Sequence, residues 1–290
     1  MTPRVVRARS LDDALDALDT LARAGGRTQV LAGGTDLMVE FATGRTRPES
    51  VLDIRSVVSL RAIERDDGGL RIGALATCTD LLRDPLVRSH ADLLGFAAAE
   101  VGAVQIKNRA TLGGNLGTAS PAADLNPVLV ALDATVVLRS RAARREVPAA
   151  AFLCGYRQTL LRDDELIECV RIPARPARER RAFRKVGTRR AQSISKLVVA
   201  LAVTIEDGVV TRLRGAAGAL APRTILLTEL AGALVGRRAG TGTLRDAVRI
   251  SARSDIAPID DLRSTAEYRR EVFRRVTLTM LEELALQETP

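Results

Sequence analysis

Residues 109–127 read RATLGGNLGTASPAADLNP. Small residues, Gly113, Gly114, Gly117, Ala119 and Ser120, crowd around Asn115, and beyond Pro121 the apolar spacing predicts a helix from about Ala122 to Leu132. A second stretch of the same kind, AGGTD at 32–36, follows a short apolar strand over Thr28–Ala32, and Thr35 is the expected cap of a helix running to about Phe41. Bare backbone at such turns presents several N–H groups together, which suits anionic phosphate oxygens, and a helix N-terminus adds positive potential. Two such nests suit a diphosphate. Taken singly, each Gly-Gly pair is more simply read as a tight turn needing positive φ. Neither segment matches GxGxxG or GxxxxGK[ST], so the nucleotide motifs themselves are absent.

Working outward, Ser10 and Asp13 should cap a helix whose apolar face is Leu11, Ala14, Leu15, Leu18 and Leu21, stopped by Gly25-Gly26. Short strands are expected at SVLDI and at GLRIGALAT, with helices from Thr79 to about Arg88 and from Asp92 to about Val101. Further strands are expected at ATVVLRS and near ELIECVRIP. The Pro- and Arg-rich PARPARER, residues 173–180, reads as a linker. Beyond it, two β runs flank an Asp207-Gly208 hairpin turn, and three helical segments follow, the last from about Ser264 to Leu286. The fold class is therefore α+β: an N-terminal region over 1–175, with subdomains of about 1–58 and 59–175, and a smaller α+β domain over 178–287.

Composition removes several function classes. Cys78, Cys154 and Cys169 are far apart and odd in number, so no disulfide framework or four-thiolate cluster is encoded, and they read as buried small hydrophobes. One histidine, His90, leaves little for a zinc site or a Ser-His-Asp triad. The net charge of +9 invites nucleic acid, but the arginines are scattered among acids and aromatics make up only 2% of the chain, so stacking platforms are scarce and nucleic acid is not an expected partner. No apolar run reaches the roughly 18 residues of a membrane span, and the N-terminus lacks a signal-peptide core, so a cytoplasmic protein is expected. All but three of the 44 basic residues are arginine, which marks Lys107, Lys185 and Lys196 as places with a specific demand.

Several ordered stretches carry a resemblance: VLAGGTDLM, VQIKNRATLGGNLGTASPAADLNPVLVAL, FLCGYRQTLL with ELIECVRIP, FRKVGTRRAQSISKLVVA, and the closing DDLRSTAEYRREVFRRVTLTML. Together they resemble the FAD-binding subunit of the molybdenum hydroxylases, the medium subunit of the xanthine dehydrogenase and carbon monoxide dehydrogenase type, over nearly the whole chain. The resemblance implies a PCMH-type FAD-binding domain of two α+β subdomains, then a C-terminal domain of antiparallel sheet and helices. It implies that Val30, Leu31, Ala32, Gly33, Gly34, Thr35, Asp36 and Leu37 wrap the diphosphate of FAD. Thr111, Gly113, Gly114 and Asn115 would give a second set of contacts, with Thr118 and Ser120 close by. Asp124 would lie near the adenosine end, Ile167 against the flavin rings, and Lys185 beside the isoalloxazine, where a cation tunes the reduced flavin. On the residues alone, Asp124 reads more simply as an ordinary acid in a helix's first turn, and Lys185 equally well as a solvent-exposed strand residue.

Two departures from the family pattern stand out. Val101 occupies the position from which some relatives set an aromatic ring against the flavin, and the cysteines for an extra iron–sulfur cluster carried by others are missing. The resemblance further implies no catalytic residue or metal on this chain. A molybdenum cofactor would sit on a large partner subunit and two [2Fe–2S] clusters on a small one, with electrons leaving FAD for NAD⁺, a quinone or O₂, in a dimer of heterotrimers. A stand-alone flavin reductase or oxidase is the rival enzyme, and a flavin-free scaffold subunit the non-enzymatic one. The scarcity of His and Tyr counts against the first, and intact glycines at 33, 34, 113 and 114 count against the second.

Overall fold

The computed structural model describes residues 3–189 and 192–286. Strand β1 (Arg4–Arg7), helix α1 (Leu11–Ala24), β2 (Thr28–Leu31), α2 (Leu37–Ala42) and β3 (Ser50–Asp53) form a parallel sheet in the order β1-β3-β2. Ser10 and Asp13 cap α1 reciprocally, and its buried stripe of Ala14, Leu15, Leu18 and Leu21 packs beneath the sheet with Leu52, Ile54 and Leu60. Asp36, not Thr35, stands at the cap position of α2, and it makes no side-chain cap bond.

The next segment builds a five-stranded antiparallel sheet interrupted by helices. It runs through β4 (Ile63–Asp66), β5 (Gly69–Gly73), α3 (Cys78–Arg83), α4 (Pro85–His90), α5 (Asp92–Glu100), α6 (Val104–Lys107), α7 (Leu112–Thr118) and α8 (Leu125–Ala131). Then come β6 (Thr135–Arg139), β7 (Arg144–Pro148), α9 (Ala149–Phe152), the small hairpin β8 (Leu153–Gly155) and β9 (Gln158–Thr159), and β10 (Leu166–Ile172), giving the order β4-β5-β10-β6-β7. The single helix expected over 79–88 is two. Thr77 caps α3 in a box with Asp80; Asp84 then ends α3 and caps α4, whose first residue is Pro85, a position where the missing N–H costs nothing. Leu112–Thr118, expected as loop, is helical, with Thr111 as its cap.

After residues 173–178, β11 (Glu179–Val186), β12 (Leu197–Glu206), β13 (Val209–Gly218) and β14 (Ile225–Leu226) form a four-stranded antiparallel sheet, with α10 (Thr228–Leu234), α11 (Thr241–Ser254) and α12 (Ala266–Leu286) against it. The expected linker is thus shorter than 173–180, because Glu179 and Arg180 already pair with Thr204 and Val203. Both faces of β12 are buried, and successive residues serve different cores. Val198 and Ala200, with Phe183 and Ala216, complete the core around α5, α7 and α8, whereas Leu197, Val199, Leu201 and Val203 face the helices α10 to α12.

Candidate functional site

The two glycine segments meet. A Cβ on Gly33 would fall inside the carbonyl oxygen of Arg109, so Gly33 is bare because the backbone entering the second segment passes directly against it. Gly34, with φ +78°, makes the turn. In the second segment, a Cβ on Gly113 would lie 2.8 Å from the Ala74 carbonyl oxygen, and one on Gly114 would meet only the hydroxyl of its own helix cap, Thr111, at 2.8 Å. Close packing therefore explains Gly33 and Gly113, where ligand approach was expected.

The amide accounting separates the segments further. In the second, Leu112 N–H donates to Ala76 O, Gly113 N–H to Ala74 O, Gly114 N–H to Thr111 Oγ1 and Asn115 N–H to Thr111 O, so of the five amides from Thr111 to Asn115 only that of Thr111 has no acceptor among the described residues. In the first, the N–H groups of Ala32, Gly33, Gly34, Thr35 and Asp36 donate to no protein group among the described residues, and every residue from Thr28 to Leu37 is half-buried. Five successive free amides at a turn with one left-handed glycine have the chemistry of an anion nest. The second segment contributes a different group: the buried Oδ1 of Asn115 has no partner, an orphan acceptor at the join of the two segments.

Asp124 and Lys185, expected at opposite ends of a dinucleotide, form one ion pair of 2.6 Å, so they occupy a single place. Lys185 Nζ also donates to the Glu100 carbonyl at 3.0 Å, and Ser195 Oγ donates to the other oxygen of Asp124. The lysine side chain is only 5% exposed, which removes its reading as a solvated strand residue; Asp124 does stand at the start of α8, but it makes no cap bond there and its carboxylate is spent on Lys185 and Ser195. Burial pushes the Asp124 carboxyl up from its ordinary value, opposed by Lys185 and Ser195. Cys78 lies within reach of the same field: burial, then the Asp124 charge, push its thiol up to about 12, so it is inert. Cys169 is likewise buried, but Cys154 is exposed, contrary to expectation.

Ile167 is buried on β10, at an irregularity in its register with β6, and its Cδ1 is the sole neighbour, at 3.8 Å, of a Cβ placed on Gly117. Gly117 thus lies exposed on α7 with the buried Ile167 side chain directly beneath it. Val101, half-buried, ends α5; Thr118 and Ser120 flank the left-handed Ala119 that ends α7, and Ser120 Oγ accepts from Ala122 N–H at 3.3 Å.

Sequence reading misses Arg157. At the tip of the β8–β9 hairpin, with φ +51°, it reaches back to the first segment and binds Asp36 at 3.3 Å and Glu40 through the same nitrogen. Ser195 and Ala74 are missed too. None of these carries a local signal, because each acts on a partner between 39 and 121 residues away.

Residues 1–175 match the model of the FAD binding domain in molybdopterin dehydrogenase, and residues 181–284 that of the CO dehydrogenase flavoprotein C-terminal domain. The chain is 30% identical to the glyceraldehyde dehydrogenase medium chain of Sulfolobus acidocaldarius over 97% of both chains. It is also 30% identical to the xanthine dehydrogenase FAD-binding subunit of Escherichia coli O157:H7, covering 96% of this chain and 94% of that one. Among solved structures it superposes on carbon monoxide dehydrogenase from Hydrogenophaga pseudoflava, in a form lacking the Mo-pyranopterin moiety, with TM-score 0.90, 27% identity and 96% of each chain covered. With a flavin-domain model spanning more than half its length and relatives matching end to end, the chain belongs to the FAD-binding medium subunits of the molybdenum hydroxylase family.

Proposed function

We propose that this chain is the flavin relay of a three-component hydroxylase, receiving electrons from the [2Fe–2S] clusters of a small subunit, fed by a molybdenum-cofactor large subunit, and passing them to NAD⁺ or another acceptor. The assembly would be a dimer of heterotrimers in the cytoplasm; among the described residues, no helix is long and apolar enough to cross a membrane. FAD, when bound, exchanges one-electron for two-electron transfer. The observation that carries the proposal is the run of free amides from Ala32 to Asp36, which fits a diphosphate, together with the orphan Asn115 Oδ1, which fits a hydroxyl or ring N–H donor.

The chain's own residues then divide the work. The 32–36 amides hold the anionic bridge, Gly117 with Ile167 beneath it offers an apolar bed, and the buried Lys185–Asp124 pair brings a fixed dipole to the junction of the two domains. Arg157 closes the arrangement by tying α2, which follows the nest, to the β8–β9 hairpin.

The direct test is to release the chromophore of the purified protein and identify it by chromatography. One FAD per chain is expected. FMN would contradict the diphosphate role of residues 32–36. A folded chain that takes up no flavin even with its partner subunits would favour the scaffold reading. Arg157→Gln is expected to speed FAD dissociation about three- to tenfold, the worth of a partly exposed ion pair, with Arg157→Lys largely restoring retention; fluorescence recovery of released FAD measures both.

A further inference from the structure

Basic residues of the C-terminal domain bind main-chain carbonyls at the ends of helices in the flavin-binding domain. Arg181 Nη1 donates to His90 O, the last residue of α4, at 2.7 Å; Lys185 Nζ to Glu100 O, the last of α5, at 3.0 Å; and Arg214 Nη2 to Val130 O, in the last turn of α8, at 3.2 Å. The final carbonyls of a helix have no partner within it, and a cation placed there also meets the negative end of the helix dipole. Arg181, Lys185 and Arg214 are each paired with a carboxylate as well. Arg223, half-buried in the connection between β13 and β14, is not. Its Nη1 donates to Ala150 O at 3.2 Å and to Leu153 O at 3.1 Å, and its guanidinium has no carboxylate partner among the described residues.

The two carbonyls that Arg223 holds are the root of the small β8–β9 hairpin. Leu153 closes α9 and opens β8, and Leu160 N–H, just past β9, donates to Phe152 O at 3.0 Å, so both strands leave from this point. Phe152 and Leu153 are buried in the main core, whereas the tip, residues 156–158, is exposed. At that tip Arg157 has φ +51°, a left-handed conformation that a non-glycine residue keeps only where its surroundings hold it. The same Nη1 of Arg157 binds Asp36 at 3.3 Å and Glu40, beside the free amides of residues 32–36. A two-stranded hairpin has little stability of its own, so the position of its tip is decided by what holds its root.

We propose that Arg223 is a positioning residue for the cofactor site: by holding Ala150 O and Leu153 O it fixes the direction of the β8–β9 hairpin, and with it the place where Arg157 meets Asp36 and Glu40. The inference rests on the reading of residues 32–36 as the cradle of the FAD diphosphate. Asp36 and Glu40 set two carboxylates next to a nest suited to an anion, and Arg157 is the cation that offsets them. Loss of the contact at the root lets water part that ion pair, and the two acids then repel the ligand. The C-terminal domain, which supplies none of the amides of the nest, thereby acts on how firmly FAD is held.

The test loads the full chain with FAD and follows FAD release by its fluorescence. Arg223→Gln is expected to speed release about threefold, and by no more than Arg157→Gln, through which it acts. Arg223→Lys should restore most of the wild-type rate, because a single nitrogen serves both carbonyls and an ammonium can take its place. The double variant Arg157→Gln/Arg223→Gln is expected to release FAD no faster than Arg157→Gln alone, whereas independent effects would multiply. Arg214→Gln removes a like contact from the end of α8 and controls for general loosening of the two domains: its unfolding temperature should fall by about 2–4 °C with FAD release unchanged. Wild-type release by Arg223→Gln would overturn the proposal. So would a double variant in which the two factors multiply, or release sped equally by Arg214→Gln. A wild-type chain that takes up no FAD, even with its partner subunits, would overturn the cofactor reading itself, and the role of Arg223 with it.

Discussion

Lys185→Met is expected to destabilise the protein by about 3–5 kcal/mol, the effect of stranding a buried charge, although methionine nearly matches the lost volume. The Asp124 carboxylate would keep only the Ser195 hydroxyl, in a place where burial already pushes its carboxyl above the ordinary 3.8. Without Lys185 that value rises further. The folded state then binds a proton that the unfolded chain releases, so stability falls as pH rises between the unfolded and folded values. The deficit is accordingly largest above the raised folded value and shrinks as pH drops toward the ordinary carboxyl range. Denaturant unfolding at several pH values measures this. A second change, Asp124→Leu in the Lys185→Met background, should recover most of the loss, since it removes the unpaired charge. A Lys185→Met deficit that is small and independent of pH would show that the pair contributes little to holding the two domains together.

Gly33→Ala is expected to be the most damaging single methyl in the chain. Its Cβ would collide with the Arg109 carbonyl, a backbone atom that cannot swing aside, and overpacking of this kind costs about 3 kcal/mol. The segments would be forced apart at the free amides, so FAD affinity should fall at least about tenfold, equivalent to one charge-assisted hydrogen bond. Gly95→Ala is the matching control. It lies in the middle of α5 with nothing within 4 Å of its new Cβ, and should stabilise by about 0.5–1 kcal/mol without touching FAD. Flavin titration by fluorescence quenching, alongside unfolding, separates the two. Tight FAD binding by Gly33→Ala would mean that the contact with Arg109 does not position the nest.

How far the site could be read from the chain depends on how local each interaction is. The first glycine segment was legible as a tight turn, because the Gly33-Gly34 pair signals positive φ, which Gly34 adopts. The second was misread as a loop because its glycines lower helix propensity and its cap lacks the usual acid three residues on; Thr111 caps the helix by accepting from the amide of a glycine, Gly114. The pairing of Asp124 with Lys185 joins residues 61 apart, and no periodicity reaches that far. Yet the rarity of lysine did point to it. Lys185 is buried in an ion pair and Lys196 sits 5.1 Å above the ring of Tyr268, both contacts that place a compact charge. The helices of the C-terminal domain were readable because their apolar spacing is regular; the direction of Arg269 was not, since it differs from its solvated neighbour Arg270 only in lying on the inward face of α12.

Strand β12 has a consequence for how this family can be recombined. Alternate side chains of one strand belong to the cores of two different domains, so the seam at residues 176–180 is a boundary in the chain but not in the packing. A chimera that takes its C-terminal half from a relative would import Phe183, Val198, Ala200 and Ala216 equivalents into a foreign interior, and would have to match volumes there to within a methylene or so. The two halves are therefore expected to be inherited together, and a crossover between relatives is better placed at the exposed Asp207-Gly208 tip of the β12–β13 hairpin, which keeps Phe183, Val198 and Ala200 with the flavin-binding half and leaves Ala216 as the foreign residue buried in that core.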